Sequence, residues 1–312
     1  MKILIYGAGV IGQIYGGRLH AAGHTVHLLA RGRNLAQLRE HGIVLVNGND
    51  ARRTVVKVPV VEALEPDEAY DLVIVTVRMN QMAAVLEVLR GLTGLPEVLF
   101  MLNNPAGSHS LIEAIGSERV LLGFPGCGGA LEADGTVRYV LIKEQRTTFG
   151  TVDGLLTPRL REIMKAFKAA NFRVAFEPSM EDWLKTHAVF IGCVGAAIVA
   201  AGGDSTLLAN RRGDVKTMIR AIREGFAALS ALDVRVTPFM LKLIFSYMPS
   251  WFSVMYWRRA LCTPMATVAI APHVRAAPDE MRELARQVLS LLRQSPAPVP
   301  ALTGLLTTVA SP

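Results

Sequence analysis

The chain has 312 residues, of which 51% are hydrophobic, and a formal net charge of +7 from 33 basic and 26 acidic side chains. This length suggests two domains, and the apolar fraction is sufficient for sizeable cores. The basic residues are scattered and not interleaved with aromatic residues, so we expect no nucleic-acid partner. A phosphate-rich cofactor and an anionic substrate account for the excess charge as well.

Cysteine usage and apolar segments give expectations about location. The three cysteines, Cys127, Cys193 and Cys262, lie far apart and form neither a C-x-x-C pair nor a disulfide framework, which favours a reducing cytoplasm. The apolar N-terminus lacks a signal-peptide cleavage site. The longest uncharged stretch, 188–203, is shorter than the roughly 18 residues of a membrane span, so we interpret it as a buried helix and expect no membrane partner.

The first thirty residues predict a βαβ unit. Residues 2–6 (KILIY) form a buried strand, a glycine-rich turn and a helical pattern follow, and residues 24–30 form a second strand. The first glycine permits the tight turn, the second lets a pyrophosphate approach the backbone, and the third lets the helix pack close to the sheet. The helix N-terminus also favours phosphate. We therefore predict a dinucleotide site that includes Gly7, Ala8, Gly9, Val10, Ile11 and Gly12.

The end of the second strand bears on the choice of cofactor. An NAD enzyme usually has Asp or Glu there, whereas this chain has Arg31-Gly32-Arg33-Asn34. A guanidinium at this position would hold a 2′-phosphate in a charge-assisted pair, which favours NADP(H). The alternative is that Arg31 and Arg33 are solvated loop charges.

Two more strand ends carry candidate ligands. Arg78 follows the apolar strand 71–77, at the edge where open α/β sheets bind ligands. Asn104 follows strand 97–102, and its amide is placed either to bond a nicotinamide or substrate or to form an Asn-Pro turn. Beyond these we predict a strand at 120–124, a loop at 125–129, an antiparallel pair from 138–142 and 147–149, and a last strand at 172–176.

After Pro178 the strand patterns stop and helical periodicity takes over. We therefore predict an α/β N-terminal Rossmann domain at 1–177, which binds NADP, and an all-α domain at 178–312, which binds substrate and offers dimer contacts. The second domain is predicted to contain helices at 179–203, 215–232, 238–248, 252–261, 279–293 and 301–309.

Lys185 is the most informative residue of the helical half. It precedes sixteen uncharged residues, and lysine rarely enters such a helix unless it is paired. A cationic amine there could polarise a substrate carbonyl and protonate the alkoxide as hydride arrives. The alternative is a lysine that extends to solvent from the start of the helix. We expect His187 and Cys193 to be structural.

The chain resembles the ketopantoate reductase (2-dehydropantoate 2-reductase) family. The residues that carry the resemblance are the GAGVIG turn, Ala30 to Arg33, the VTVR run that ends at Arg78, Asn104 in NNPAG, Trp183-Leu184-Lys185 and Asp279-Glu280-Met281. The resemblance implies that Lys185 is the catalytic acid and that Glu280 lies in the active site, and we expect the two side chains to face one another. It also implies that Ser253, in a loosely matching stretch, contacts the substrate.

The departures from the family pattern concern the substrate. The family has asparagines one and two turns after its catalytic lysine, where this chain has Val189 and Cys193. Loss of hydrogen-bond partners disfavours a hydroxylated substrate. We expect an NADPH-dependent reductase of a 2-oxo acid or related ketone, with a homodimer as the candidate assembly and no metal. The alternatives are ketopantoate reduction with a rebuilt polar clamp and a non-catalytic NADP-binding sensor or regulatory protein.

Overall fold

The computed structural model describes residues 1–64, 68–91 and 96–310. They divide into two compact units. The first comprises Met1–Leu102 and Ser108–Met180, and the second comprises Asn103–Gly107 and Glu181–Pro312. The first unit is mixed α/β and the second is largely helical, which confirms the predicted fold class. The unit boundary lies three residues after the predicted one, and a five-residue segment of the N-terminal half belongs with the helices.

The strands of the first unit form two sheets. In chain order they are β1 (Lys2–Tyr6), β2 (Thr25–Leu29), β3 (Ile43–Asn47), β4 (Arg53–Val56), β5 (Val60–Val61), β6 (Leu72–Val75), β7 (Val98–Met101), β8 (Val120–Phe124), β9 (Cys127–Leu131), β10 (Val137–Leu141), β11 (Thr147–Thr151) and β12 (Val174–Phe176). The larger sheet has the order β12-β11-β8-β7-β6-β1-β2-β5, and the smaller has the order β4-β3-β10-β9.

Six strands of the larger sheet, from β5 across to β8, run parallel. The order of these strands reverses at β1, which lies between β2 on one side and β6 on the other. All four residues of β6 are fully buried, and so is the middle of β1. Continuous apolar strands of this kind form where both faces of a parallel sheet are covered.

The helices of the first unit cover the sheets. They are α1 (Val10–Ala21), α2 (Gly32–His41), α3 (Met82–Arg90), α4 (His109–Ile115) and α5 (Pro158–Ala169). The first of them lies between the two sheets: a Cβ added at Gly16 would meet Ile5 of the larger sheet at 3.5 Å and Ile43 of the smaller at 3.8 Å. Thr157 caps α5 by accepting a hydrogen bond from the Leu160 amide at 3.1 Å.

Two sequence-based predictions in this unit were wrong. Residues 125–129 were predicted as a loop, yet β9 begins at Cys127 and pairs antiparallel with β10. A Cβ at Gly129 would overlap the Arg138 carbonyl oxygen, so the glycine that suggested a loop instead permits close strand pairing. The predicted pair 138–142 and 147–149 does not form, because β10 lies in the smaller sheet and β11 pairs with β8 in the larger.

The second unit is built from helices around one apolar core. They are α6 (Met180–Ala200), α7 (Ser205–Asn210), α8 (Arg212–Ala231), α9 (Phe239–Lys242), α10 (Ser250–Ala260), α11 (Ala271–Ala276), α12 (Pro278–Leu292) and α13 (Pro300–Ala310), with π-helical turns at Leu243–Tyr247 and Met265–Ile270. The sequence did not predict α7 or α11. Both are six residues long, too short for a clear helical period.

Helix α6 is at the centre of this core. It is long and apolar enough to cross a membrane by length and composition alone, but 78% of its apolar window is buried inside the protein. Most residues from Ala188 to Ala201 pack in the core of the unit. Helix α6 is therefore a core helix of the second unit, which agrees with the interpretation of 188–203 as a buried helix.

Helix α13 is attached to α8 by a charged cap. Glu224 of α8 accepts hydrogen bonds from the backbone amides of Ala301 and Leu302, at 2.7 and 3.1 Å. These amides belong to the first turn of α13 and have no partner within that helix. The carboxylate also favours the positive end of the helix dipole.

We expect Glu224→Ala to lower the free energy of unfolding by roughly 1.5–3 kcal/mol, the scale for hydrogen bonds to a charged group. Arg220→Ala is the matched control, because it removes only the exposed side chain 3.9 Å from Glu224. We expect that change to cost at most about 1 kcal/mol. Denaturant unfolding followed by circular dichroism measures both, and equal losses would show that the ion pair matters more than the cap.

Candidate functional site

The turn after β1 has the geometry that its glycines predict. Gly7 has a φ of +120°, in the region that disfavours side chains. A Cβ at Gly12 would overlap the Gly7 carbonyl oxygen and lie 2.8 Å from Thr76 Oγ1. A Cβ at Gly9 would meet nothing within 4 Å, and Gly9 is exposed. The turn is therefore tightly closed on its inner side and open at the N-terminus of α1.

Polar side chains fix this turn to its neighbours. Thr76, directly after β6, donates a hydrogen bond to the Gly7 carbonyl at 2.9 Å. Gln13, which is buried in the first turn of α1, donates to the Ala8 carbonyl at 3.0 Å. The turn thus lies where the strand order reverses, between β1 and β6, which is where open α/β sheets bind ligands. The sequence does not mark Thr76, because only strand pairing brings it to the turn, and Gln13 is adjacent in the chain but carries no pattern of its own.

Arg31 lies at the position predicted to select the cofactor, two residues after β2 ends at Leu29. It is exposed, and its Nε donates to the Glu62 carbonyl oxygen at 3.4 Å. Glu62 follows β5, the next strand of the sheet, and its carboxylate lies 3.0 Å from Arg39. The nearby acid is therefore paired with another arginine, while the Arg31 guanidinium is at the edge of the sheet.

The other strand-end candidates differ in their surroundings. Arg78 is exposed at the start of the 3-10 turn Met79–Gln81, where its backbone amide donates to Gln81 Oε1 at 3.2 Å. Asn104 is buried, and its Nδ2 donates to the Gly107 carbonyl at 2.7 Å. The Asn104 amide thus closes a turn, one of the two alternatives that the sequence left open. It belongs to the helical unit, as does Lys185.

Lys185 lies in the second turn of α6 with a half-buried side chain. Within the helical unit, its amine makes no hydrogen bond or ion pair to a described residue. The neighbouring Trp183 and His187 rings stack at 5.0 Å with an interplanar angle of 5°. Burial lowers the pKa of His187 to about 3, so this imidazole is neutral at neutral pH and contributes no charge beside the lysine.

The two positions at which the family has asparagines face the core. Val189 and Cys193 are fully buried. The Val189 side chain packs against α8 at Gly225, where the absence of a side chain leaves room for it. Burial, followed by the charge of Glu224, raises the pKa of the Cys193 thiol, so the thiol is protonated and unreactive. Neither position offers a hydrogen bond of the kind an amide would make.

Glu280 is buried in the first turn of α12, with Oε2 3.6 Å from His273 Nε2. The next residue, Met281, packs against Gly195 of α6. Gly195 is ten residues after Lys185, which corresponds to about 15 Å along an α-helix. The expected direct approach of Lys185 and Glu280 stays a prediction.

Ser253 is completely buried in α10, and its hydroxyl donates to the Ile244 carbonyl at 2.8 Å. Arg223 of α8 donates to Ser253 Oγ at 3.4 Å, to Ser250 Oγ at 2.7 Å and to the Met248 carbonyl at 2.6 Å. The sequence does not mark Arg223, which is a half-buried cation in an amphipathic helix. The substrate contact of Ser253 stays a prediction.

Comparison with known proteins agrees with this geometry. Residues 3–154 match the family described as ketopantoate reductase PanE/ApbA. The matched segment, just under half of the chain, belongs to this family. The chain is 27% identical over 192 residues to the uncharacterized oxidoreductase YkpB of Bacillus subtilis. This match covers 61% of the chain and 62% of that protein. The chain thus spans about three fifths of the length of the curated relatives it matches.

Solved structures extend the family likeness of the fold to nearly the whole chain. A 2-dehydropantoate 2-reductase from Geobacter metallireducens has a TM-score of 0.82, 18% identity and 99% coverage of both chains. A ternary structure of D-mandelate dehydrogenase with NADH and anilino(oxo)acetate has a TM-score of 0.78 and 17% identity, over 100% of this chain and 98% of that one. At these identities the likeness shows the ketopantoate reductase fold.

The glycine turn generates a paired prediction. Gly12→Ala inserts a methyl group where the Gly7 carbonyl lies, so we expect a destabilisation of several kcal/mol or failure to fold, as in overpacked sites. Gly9→Ala adds a methyl group in open space at a φ of −76°, so we expect stability to change by less than about 0.5 kcal/mol. Thermal unfolding of the two variants beside the parent chain checks both. Equal stability of the variants would contradict this account.

Proposed function

We propose that the protein is an NADPH-dependent reductase of a 2-oxo acid or a related ketone. The observation that carries the proposal is the closed glycine turn at the point of strand reversal, with its open side at the N-terminus of α1. Backbone amides at such a terminus and the helix dipole favour a pyrophosphate. The residues from Gly7 to Gly12 would hold it, and Gly9 would allow the closest approach.

The preference for NADPH rests on Arg31. Its guanidinium lies at the end of β2, where an acid would select the ribose hydroxyl of NADH. The acid that does lie nearby, Glu62, is paired with Arg39, which weakens its availability for a ribose. We propose that Arg31 binds the 2′-phosphate and that Arg78 and Asn104 contact the rest of the cofactor. The D-mandelate dehydrogenase relative was solved with NADH, so both cofactors need testing.

The proposed acid is Lys185. Bound NADPH supplies a hydride for the carbonyl carbon. The Lys185 ammonium donates a hydrogen bond to the carbonyl oxygen and then transfers one proton to it, so the product is an alcohol and the amine is left neutral. Glu280, buried at the start of α12, would anchor the substrate or hold the amine in position.

The proposed substrate class rests on the two core positions where this chain lacks the asparagines of the family. Val189 and Cys193 are buried and apolar where the family has amides, so a substrate hydroxyl would find no partner there. We propose a 2-oxo acid with an apolar substituent, with Ser253 and Asn104 as substrate contacts. Under this proposal residues 1–177 bind the cofactor, residues 178–312 bind the substrate, and the helical part offers the contacts of a homodimer.

A second candidate is a non-catalytic NADP-binding sensor or regulatory protein. The specific observation in its favour is that the Ser253 hydroxyl donates to the Ile244 carbonyl and that one N–H of the Asn104 amide donates to the Gly107 carbonyl. Turnover of NADPH against a panel of 2-oxo acids, with ketopantoate included, separates the two. Tight cofactor binding without turnover on any of them would favour the sensor.

We expect Arg31→Ala to weaken NADPH binding by roughly 1–3 kcal/mol, the scale for hydrogen bonds to a charged group, and to leave NADH binding nearly unchanged. Fluorescence titration with both cofactors measures the difference. Arg90→Ala, which removes an exposed arginine near Glu87 on α3, is the control and should affect neither. Equal or tighter binding of NADH by the parent chain would overturn the cofactor assignment.

We expect Lys185→Ala to lower kcat by roughly 10²–10⁴-fold, the usual contribution of a general acid, while NADPH affinity stays the same. Lys216→Ala removes an exposed lysine from α8 and should leave kcat unchanged. Glu280→Ala should raise KM and lower kcat less severely. Steady-state kinetics and a cofactor titration on each variant provide the measurements, and full activity of Lys185→Ala would exclude it as the acid.

A further inference from the structure

The helical unit contains a cavity that none of the proposed active-site residues line. Its volume is about 630 Å³, within the range of small-molecule sites. It lies between the α7–α8 junction and one face of α10. The described residues that line it include three arginines and three apolar or sulfur-containing residues, namely Arg212, Arg258, Arg259, Trp251, Met255 and Cys262.

The cationic side of the cavity lacks counter-charges. No acidic residue is among the described residues that line it, and within the described helical unit no carboxylate lies within 4.0 Å of the three guanidinium groups. Arg258 donates through Nε to the Ala209 carbonyl at 2.7 Å, which fixes its stem. By contrast Arg211, the preceding neighbour of Arg212, lies 3.9 Å from Asp214. Cations that line one cavity repel one another, and a bound anion would reduce that repulsion.

The N-terminus of α8 adds to the positive electrostatic potential of the cavity. The helix has 20 residues, and its N-cap, Arg211, makes no capping hydrogen bond through its side chain. Residues on both sides of the N-cap, Asn210 and Arg212, line the cavity. Unpaired amides at the start of a long helix carry a partial positive charge.

The apolar part of the cavity lies on the same face of α10 as Arg258 and Arg259. Trp251 and Met255 project from one face of α10, one turn apart, and Trp251 is 64% exposed. Ser253 lies on another, fully buried face of the same helix. An exposed indole beside guanidinium groups is the surface expected where a ligand has an apolar part and a charged part, because aromatic stacking and bidentate hydrogen bonds then act together.

We propose that this cavity binds a small organic anion, with a carboxylate or phosphate held by Arg212, Arg258 and Arg259 and an apolar or aromatic body against Trp251 and Met255. The inference is independent of the proposed reductase activity. A bare inorganic anion would leave the apolar side unused, and its binding would therefore be weaker. Arginine is suited to either anion, because its planar fork matches both.

The chain offers two local reporters for a test. Cys262 is exposed on the cavity wall, whereas Cys127 and Cys193 are buried, so a neutral maleimide should label Cys262 selectively. Trp251 is exposed, whereas Trp183 and Trp257 are buried, so a fluorescence change that is lost in Trp251→Phe reports the same wall. The probes are phenyl phosphate and benzoate, with inorganic phosphate and benzyl alcohol for comparison.

We expect phenyl phosphate or benzoate to slow labelling of Cys262 and to change Trp251 fluorescence, both with the same saturation curve. Inorganic phosphate and benzyl alcohol should bind at least about tenfold more weakly, because each makes only half of the contacts. The double variant Arg212→Gln and Arg259→Gln should weaken binding by about tenfold or more. Arg211→Gln, which removes a neighbouring arginine outside the cavity, should bind like the parent chain.

Three outcomes would overturn the proposal. The first is the absence of saturable protection by either organic anion. The second is equal protection in the double variant. The third is protection that rises with protein concentration in the absence of ligand, which would assign this surface to a second copy of the chain. NADPH turnover does not enter any readout, so failure of the reductase proposal leaves this test intact.

Discussion

The contact between Gly7 and Gly12 is the constraint on which the candidate cofactor site depends. The carbonyl of Gly7 occupies the space of a side chain at Gly12, and Thr76, the residue after β6, donates a hydrogen bond to that carbonyl. The arrangement places the start of α1 beside the reversal of the strand order. The candidate site for a pyrophosphate thus depends on the packing of the turn against the sheet, which leaves the turn open at Gly9.

The helical unit is organised around an apolar helix, α6, and the proposed substrate class rests on the residues of that helix. The fully buried side of α6 includes Val189 and Cys193, and α8 fits against it through Gly225. Neither the Val189 side chain nor the protonated Cys193 thiol offers the hydrogen bonds of an amide. Under the proposed function this packing leaves a substrate hydroxyl without an amide partner at these two positions, whereas the half-buried Lys185 side chain lies near the start of the helix.

The excess of basic residues is used unevenly. Some arginines fix the structure through neutral partners: Arg18 bonds the Ala170 carbonyl and the Tyr139 hydroxyl, and Arg223 bonds Met248 and Ser250. Others, including Arg31 at the end of β2 and the three arginines of the cavity, have no carboxylate partner among the described residues of their own unit. Under both proposals these arginines bind anionic groups, which would account for part of the net charge of +7.

The sequence by itself determined the local features. Strand β1, the glycine turn and the start of α1 follow from a short apolar run and three glycines, because these signals act within a dozen residues. The sequence also predicted the change from strands to helices near Pro178. Only the tertiary structure decided that β10 and β11 lie in different sheets, that Asn104 closes a turn in the helical unit, and that Val189 faces Gly225. The physical reason is that strand pairing and helix packing join residues far apart in the chain, and no local pattern specifies such contacts.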